Sequence, residues 1–160
     1  MALNLIYSNN TCIKRRRRPI VLESKAKSLI IAQATLDKKA DDVLVLHVAP
    51  LTSIADYLVL CSADSDRQVR AIADHIEKTL AAQHIRPLSL EGLSVSQWVA
   101  MDFDDVIVHI FRTDLRQIYT LERLWGDAKR VKIPPERVTV LPEPVPTPKK
   151  RPARRAAKSR

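Results

Sequence analysis

The chain has 160 residues, 46% of them hydrophobic and only 4% aromatic, enough for one compact domain with an aliphatic core plus terminal extensions. Its two glycines, Gly92 and Gly126, exclude the phosphate cradles of P-loop and dinucleotide-binding proteins, which need several glycines to bring backbone N–H groups onto phosphate. The net charge of +9 resides in the ends: Lys14 to Arg18 carries five positive charges and Lys149 to Arg160 seven, leaving residues 19–148 at −3, which argues against a folded domain that binds nucleic acid across its own face.

Residues 1–21 read as a basic, flexible arm. Its charges follow the short apolar segment Leu3 to Tyr7, the wrong order for a secretory signal, and no apolar stretch approaches the roughly 20 residues needed to cross a bilayer. The expected location is the bacterial cytoplasm. An acid-free, Arg-rich leader also suits an organellar transit segment, which makes a mitochondrion or plastid the alternative. Cys12 and Cys61 imply no disulfide framework, and Cys61, inside an apolar run, reads as a small buried hydrophobe.

The folded domain is expected over residues 22–140. ESKAKSLIIAQATLDKK predicts a helix from about 23 to 38, with Ala26, Leu29, Ile30, Gln33 and Leu36 near one stripe. VLVLHV, from Val43, follows as a strand whose unbroken apolar run suggests burial on both faces, as in a central strand. A second strand is expected from Asp56 to Ser62. The next helix opens with Ser65 as N-cap and Gln68 three residues later as its capping-box partner, and Val69, Ile72, Ala73, Ile76 and Leu80 repeat at helical spacing.

After Pro87, LSLEG predicts a short strand. QWVAMDF and VIVHIFR, separated by Asp104 and Asp105, read as a hairpin. TDLRQIYTLERLWG predicts one further helix, capped by Thr113 or Asp114 and stopped at Gly126. The order α-β-β-α-β-β-β-α favours an α/β fold built on a small mixed sheet of about five strands with helices packed on it, not a doubly wound parallel sheet. The final segment, residues 141–160, mixes proline with basic residues and is expected to be disordered in isolation.

Few residues suggest chemistry. Asp56, Asp102, Asp104, Asp105, His47 and His109 are the candidate acids, bases or metal ligands. Asp102 and Asp104 form the Asp-x-Asp pair with which nucleotidyltransferases hold divalent cations, yet they sit at a hairpin tip, where aspartate is common as a turn former. His47, His75, His84 and His109 include no pair at three- or four-residue spacing, and Ser53, Ser62 and Ser65 lack a nucleophile elbow. Arg67 and Arg70 could meet phosphate at a helix N-terminus, but Asp64 and Asp66 already complement that dipole, so a solvated charged face is the simpler reading. Trp98 precedes the acidic MDFDD tip, as a protein-binding hot spot would, although a core tryptophan fits the same pattern.

ADYLVLCSADSDRQVRAIADHI, LEG with Trp98 shortly after it, DVIVHIF and LERLWGDAKRV together resemble the ribosomal silencing factor (Iojap-like) family over residues 22–131. The resemblance implies a mixed-sheet α/β domain related in fold to nucleotidyltransferases but lacking their catalytic equipment, and hence no enzyme activity, cofactor or metal. It implies a translational repressor that binds the large ribosomal subunit through ribosomal protein L-fourteen and sterically blocks joining of the small subunit when nutrients are scarce, acting as monomer or homodimer. Organellar relatives act in ribosome assembly, so a large-subunit assembly factor is the first alternative and an enzyme using Asp102 and Asp104 the second. Carried over by motif, the partner-binding residues are Trp98, Met101, Asp102, Asp105 and His109, while Asp56 and Arg67 serve the fold. Arg15, Arg16, Arg17, Arg18, Lys149, Lys150, Arg151, Arg154 and Arg155 are candidate ribosomal RNA contacts on the arms. The family usually has glycine where this chain has Asp104, so a different turn type is expected at the hairpin tip.

Overall fold

A computed structural model describes residues 22–135. The elements run α1 (Ser24–Asp37), β1 (Asp41–His47), β2 (Tyr57–Ala63), α2 (Asp66–Ala81), β3 (Ser89–Glu91), β4 (Trp98–Asp102), β5 (Val106–Arg112), α3 (Thr113–Tyr119), α4 (Leu121–Leu124) and β6 (Lys129–Val131). They build one six-stranded sheet in the order β3-β4-β5-β2-β1-β6. Only β2 and β5 run parallel, with α2 lying between them in the chain; the other neighbours are antiparallel.

Side-chain alternation divides the core between the two faces of the sheet. On one face Val45, Val59, Cys61, Val99, Met101, Val108 and Ile110 pack against Ile30, Ile31 and Ala34 of α1 and Val69, Ile72, Ala73, Ile76 and Leu80 of α2. On the other, Leu46, Leu58, Leu60 and Phe111 are covered by Leu115, Leu121, Trp125 and Ala128 from the segment after β5. The seven residues of β2 are all buried, so β2 is the central strand, whereas β1 is exposed at Asp41 and Asp42 and fully enclosed only at Val45 and Leu46. Burial also pushes the Cys61 thiol up to about 12, and it packs as a plain hydrophobe.

α2 forms as its sequence predicts. Its five buried residues are those of the apolar repeat, and Ser65 Oγ accepts from the Gln68 N–H at 3.3 Å. Gln68 reaches back one residue further than the capping box requires: its Oε1 accepts from the Asp64 N–H, and its Nε2 donates to the carbonyls of Lys38 and Lys39 at the end of α1.

Three expectations are corrected. The α1 stripe is rotated: Leu36 is exposed, whereas Lys27, Ser28 and Thr35 are buried. Ser28 and Thr35 satisfy themselves locally by donating to the carbonyls of Lys25 and Ala32, both at 2.7 Å, so polar residues occupy the inward face and hide the apolar period. The single helix expected after β5 is two, broken at Thr120, which adopts a left-handed conformation (φ 37°, ψ 52°). The break returns Leu121 and Trp125 to the sheet and lets Glu122 meet the buried Arg116 at 2.6 Å. Arg116 also donates to Ser62 Oγ and the Asp42 carbonyl, both at 3.3 Å, anchoring α3 to β2 and β1. The sheet has a sixth strand, because Lys129–Val131 pairs with Val45–His47 of β1. Residues 1–21 and 136–160, with both basic arms and their nine candidate RNA-contacting residues, lie outside the described residues.

Candidate docking surface

The outer face of the β4–β5 hairpin collects most of the candidate residues. Register sets Trp98 opposite Phe111, Ala100 opposite His109 and Asp102 opposite Ile107. Trp98 stacks on Phe111 with ring centroids 4.9 Å apart and lies 5.0 Å from the ring of Tyr119 and 5.9 Å from that of His109. Its Nε1–H donates to His109 Nδ1 at 3.3 Å. The indole is half-buried, neither a core tryptophan nor a fully exposed one, and Tyr119 beside it is 51% exposed. Edge strand β3 continues this face, pairing Glu91 with Ala100 and Ser89 with Asp102, so the aromatic platform has an acidic rim.

Burial lowers the pKa of His109 to about 4 from the ordinary 6.5, and its Nδ1 serves as the acceptor for the indole, so the ring is neutral at pH 7. A histidine whose folded pKa lies below its unfolded value stabilises the fold above pH 6.5 and loses that contribution as pH falls toward 4. Acidification from pH 7 to 4.5 is therefore expected to lower stability, with His109→Gln showing a flatter profile over that window; urea denaturation against pH checks this, and superimposable profiles would remove the assignment.

Two of the five expected contact residues face elsewhere. Met101 is 0% exposed and packs in the helix-side core. It lies three positions from Trp98, and an odd offset along a strand always reaches the opposite face. The Asp105 carboxylate is held by Lys27 of α1, and its carbonyl accepts from the Asp56 and Tyr57 N–H groups at 2.8 and 3.1 Å, so this residue binds the tip to the body. Asp56 serves the fold in the same way, its carbonyl accepting from Val48 at 2.8 Å.

At the tip, Asp104 takes up the positive φ that glycine favours, +76°, and its N–H donates to Asp102 Oδ1 at 2.8 Å. Aspartate is among the residues that visit this region, and the neighbouring carboxylate satisfies the backbone there. Asp102 is thereby a turn acceptor, and among the described residues no group of three or more His, Cys, Asp or Glu side chains is placed to hold a metal ion.

Arg67 and Arg70 are both exposed, as a solvated charged face requires, but Arg70 is also engaged: its guanidinium donates to Ser96 Oγ and to the Leu93 and Ser94 carbonyls, at 3.0 to 3.4 Å, binding α2 to the loop before β4. Asp114 caps no helix end. Its carboxylate grips Arg112 at 2.6 and 2.7 Å, and that hydrogen bonding holds its pKa down at about 2. Ile107 and Tyr119 belong to the surface but were not anticipated. The two-residue period of β5 places Ile107 beside His109, whereas Tyr119 is brought to Trp98 by the path of α3 back across the sheet from the end of β5.

The family model described as "Ribosomal silencing factor during starvation" matches residues 21–160. The chain belongs to this family. Among relatives, the ribosomal silencing factor RsfS of Bacillus subtilis is 40% identical over 107 residues, covering 67% of this chain and 91% of its own. The chloroplastic protein Iojap of Arabidopsis thaliana is 31% identical over 112 residues, covering 70% of this chain and 47% of its own. A crystal structure of a Chromobacterium violaceum protein superimposes with a TM-score of 0.64 at 29% identity, covering 70% of this chain and 92% of the other. Silencing-factor membership thus rests on sequence and fold together, and among the described residues no helix is long and apolar enough to cross a membrane.

Proposed function

We propose that the chain is a translational repressor that docks on the large ribosomal subunit through the outer face of the β4–β5 hairpin, with ribosomal protein L-fourteen as the contact, and sterically blocks joining of the small subunit when nutrients are limiting. The observation that carries this reading is the half-buried Trp98, backed by Phe111, Tyr119 and His109, in a chain whose relatives are named ribosomal silencing factors. An aromatic ring already held by its neighbours loses little freedom on binding, which is what a hot-spot anchor needs. Asp102, Asp104 and Glu91 around it favour a basic partner and would steer its approach. The role needs no reaction, and the Asp102 carboxylate also has a structural use, accepting from the Asp104 N–H through one of its oxygens.

Sedimentation of purified large subunits with the full-length protein, followed by addition of small subunits, tests the reading. The expected result is cosedimentation with a fall in joined particles. Protein that stays at the top of the gradient would overturn it, and cosedimentation without any fall in joining would move the role to subunit assembly. The basic arms are read as supplementary contacts to ribosomal RNA, which would steepen the loss of affinity with salt by counterion release. Equal salt slopes for the full-length chain and for residues 22–140 would remove that part.

A further inference from the structure

We propose that Lys27 is a positioning residue for Asp102, acting through the hairpin tip, an inference that rests on the docking surface above. Lys27 lies in the first half of α1 and is only 9% exposed. Its Nζ donates to the Phe103 carbonyl at 3.3 Å and to the Asp105 carboxylate, the residues on either side of Asp104. The same tip is closed from within by the Asp105 N–H on the Phe103 carbonyl at 3.1 Å and the Phe103 N–H on the Val106 carbonyl at 2.9 Å.

A non-glycine residue at φ +76° is therefore clasped from both flanks while Asp102 holds its N–H. Stability alone does not account for a lysine here. A buried ion pair of this kind gains little over an apolar side chain of similar volume, because desolvation offsets the attraction. The other buried residues of α1 are apolar or bond within their own turn, so a methionine would suit this helix face. What the lysine adds is direction: it fixes the tip against α1, and with it the carboxylate that Asp102 offers to a partner.

The test uses the full chain carrying Lys27→Met, alone and with Asp102→Asn, and measures affinity for isolated large subunits together with NMR amide exchange. Lys27→Met is expected to weaken binding about tenfold in the wild-type background and less than about twofold beside Asp102→Asn, since residues acting through one another are not additive. The Asp104 amide is expected to exchange faster while the amides of β2 do not change. Equal losses in both backgrounds, or an unchanged Asp104 amide, would overturn the proposal. If the wild type itself fails to bind large subunits, the docking reading falls and the Asp104 exchange rate alone decides the clasp. If Lys27→Met folds poorly, Asp105→Asn releases the same contact from the other side and is judged by the same two readouts.

Discussion

Trp98→Ala is expected to weaken binding to the large ribosomal subunit by about thirtyfold or more, the effect of losing an anchor worth about 2 kcal/mol. The indole supplies the largest aromatic surface on the outer hairpin face, and its removal also leaves the rings of Phe111, Tyr119 and His109 without the partner that holds them together. Because Trp98 is half-buried and packs only at the margin of the second core cluster, that of Leu46, Leu58, Leu60 and Phe111, the variant is expected to remain folded with some loss of stability. Trp98→Phe separates the two contributions: it keeps a ring on Phe111 and loses the Nε1 donor to His109, so an intermediate loss is expected. Cosedimentation with large subunits at fixed salt measures all three proteins. A Trp98→Ala variant that binds as tightly as wild type would place the docking surface elsewhere.

The largest expected loss of stability comes from Gly92→Ala, at about 4 kcal/mol, from backbone strain at positive φ plus overpacking. Gly92 has φ +78°, and a Cβ there would lie 1.9 Å from the Trp98 carbonyl oxygen, which belongs to backbone and cannot swing aside. The surroundings are stiff: the Gly92 carbonyl accepts from the Ser96 N–H at 2.8 Å, and Ser96 is in turn held by Arg70. Relief requires the start of β4 to move, and Trp98 with it. Thermal unfolding should show a midpoint about 15 °C lower, given roughly 4 °C per kcal/mol for a domain of this size. A midpoint within a few degrees of wild type would mean that the loop yields without strain.

The residues that were legible from sequence are those whose structure depends on near neighbours. The cap of Ser65 and the apolar repeat of α2 act within one helix, and the two strands of the β4–β5 hairpin meet across a tip of a few residues. The family motifs lie on these elements, which is why Trp98, Asp102 and His109 could be placed on one surface. The period of two also held the information that Met101 faces inward, although the motif match grouped it with Trp98.

What the sequence determined by itself, then, is an aliphatic mixed-sheet domain, its local elements and the family to which it belongs, because composition, period and motif act at short range. Tertiary structure alone decided the rest. Lys27 and Asp105 are 78 residues apart, and nothing in either segment announces that one charge closes the other's turn. Thr120 breaks a continuous helical pattern because Leu121, Trp125 and the Arg116–Glu122 pair gain contacts across the fold that outweigh one strained residue. Lys129–Val131, too short and too basic to read as a strand, becomes one because β1 presents an open edge of backbone hydrogen-bonding groups beside it. In each case the deciding partner is remote along the chain and near only once the sheet has formed.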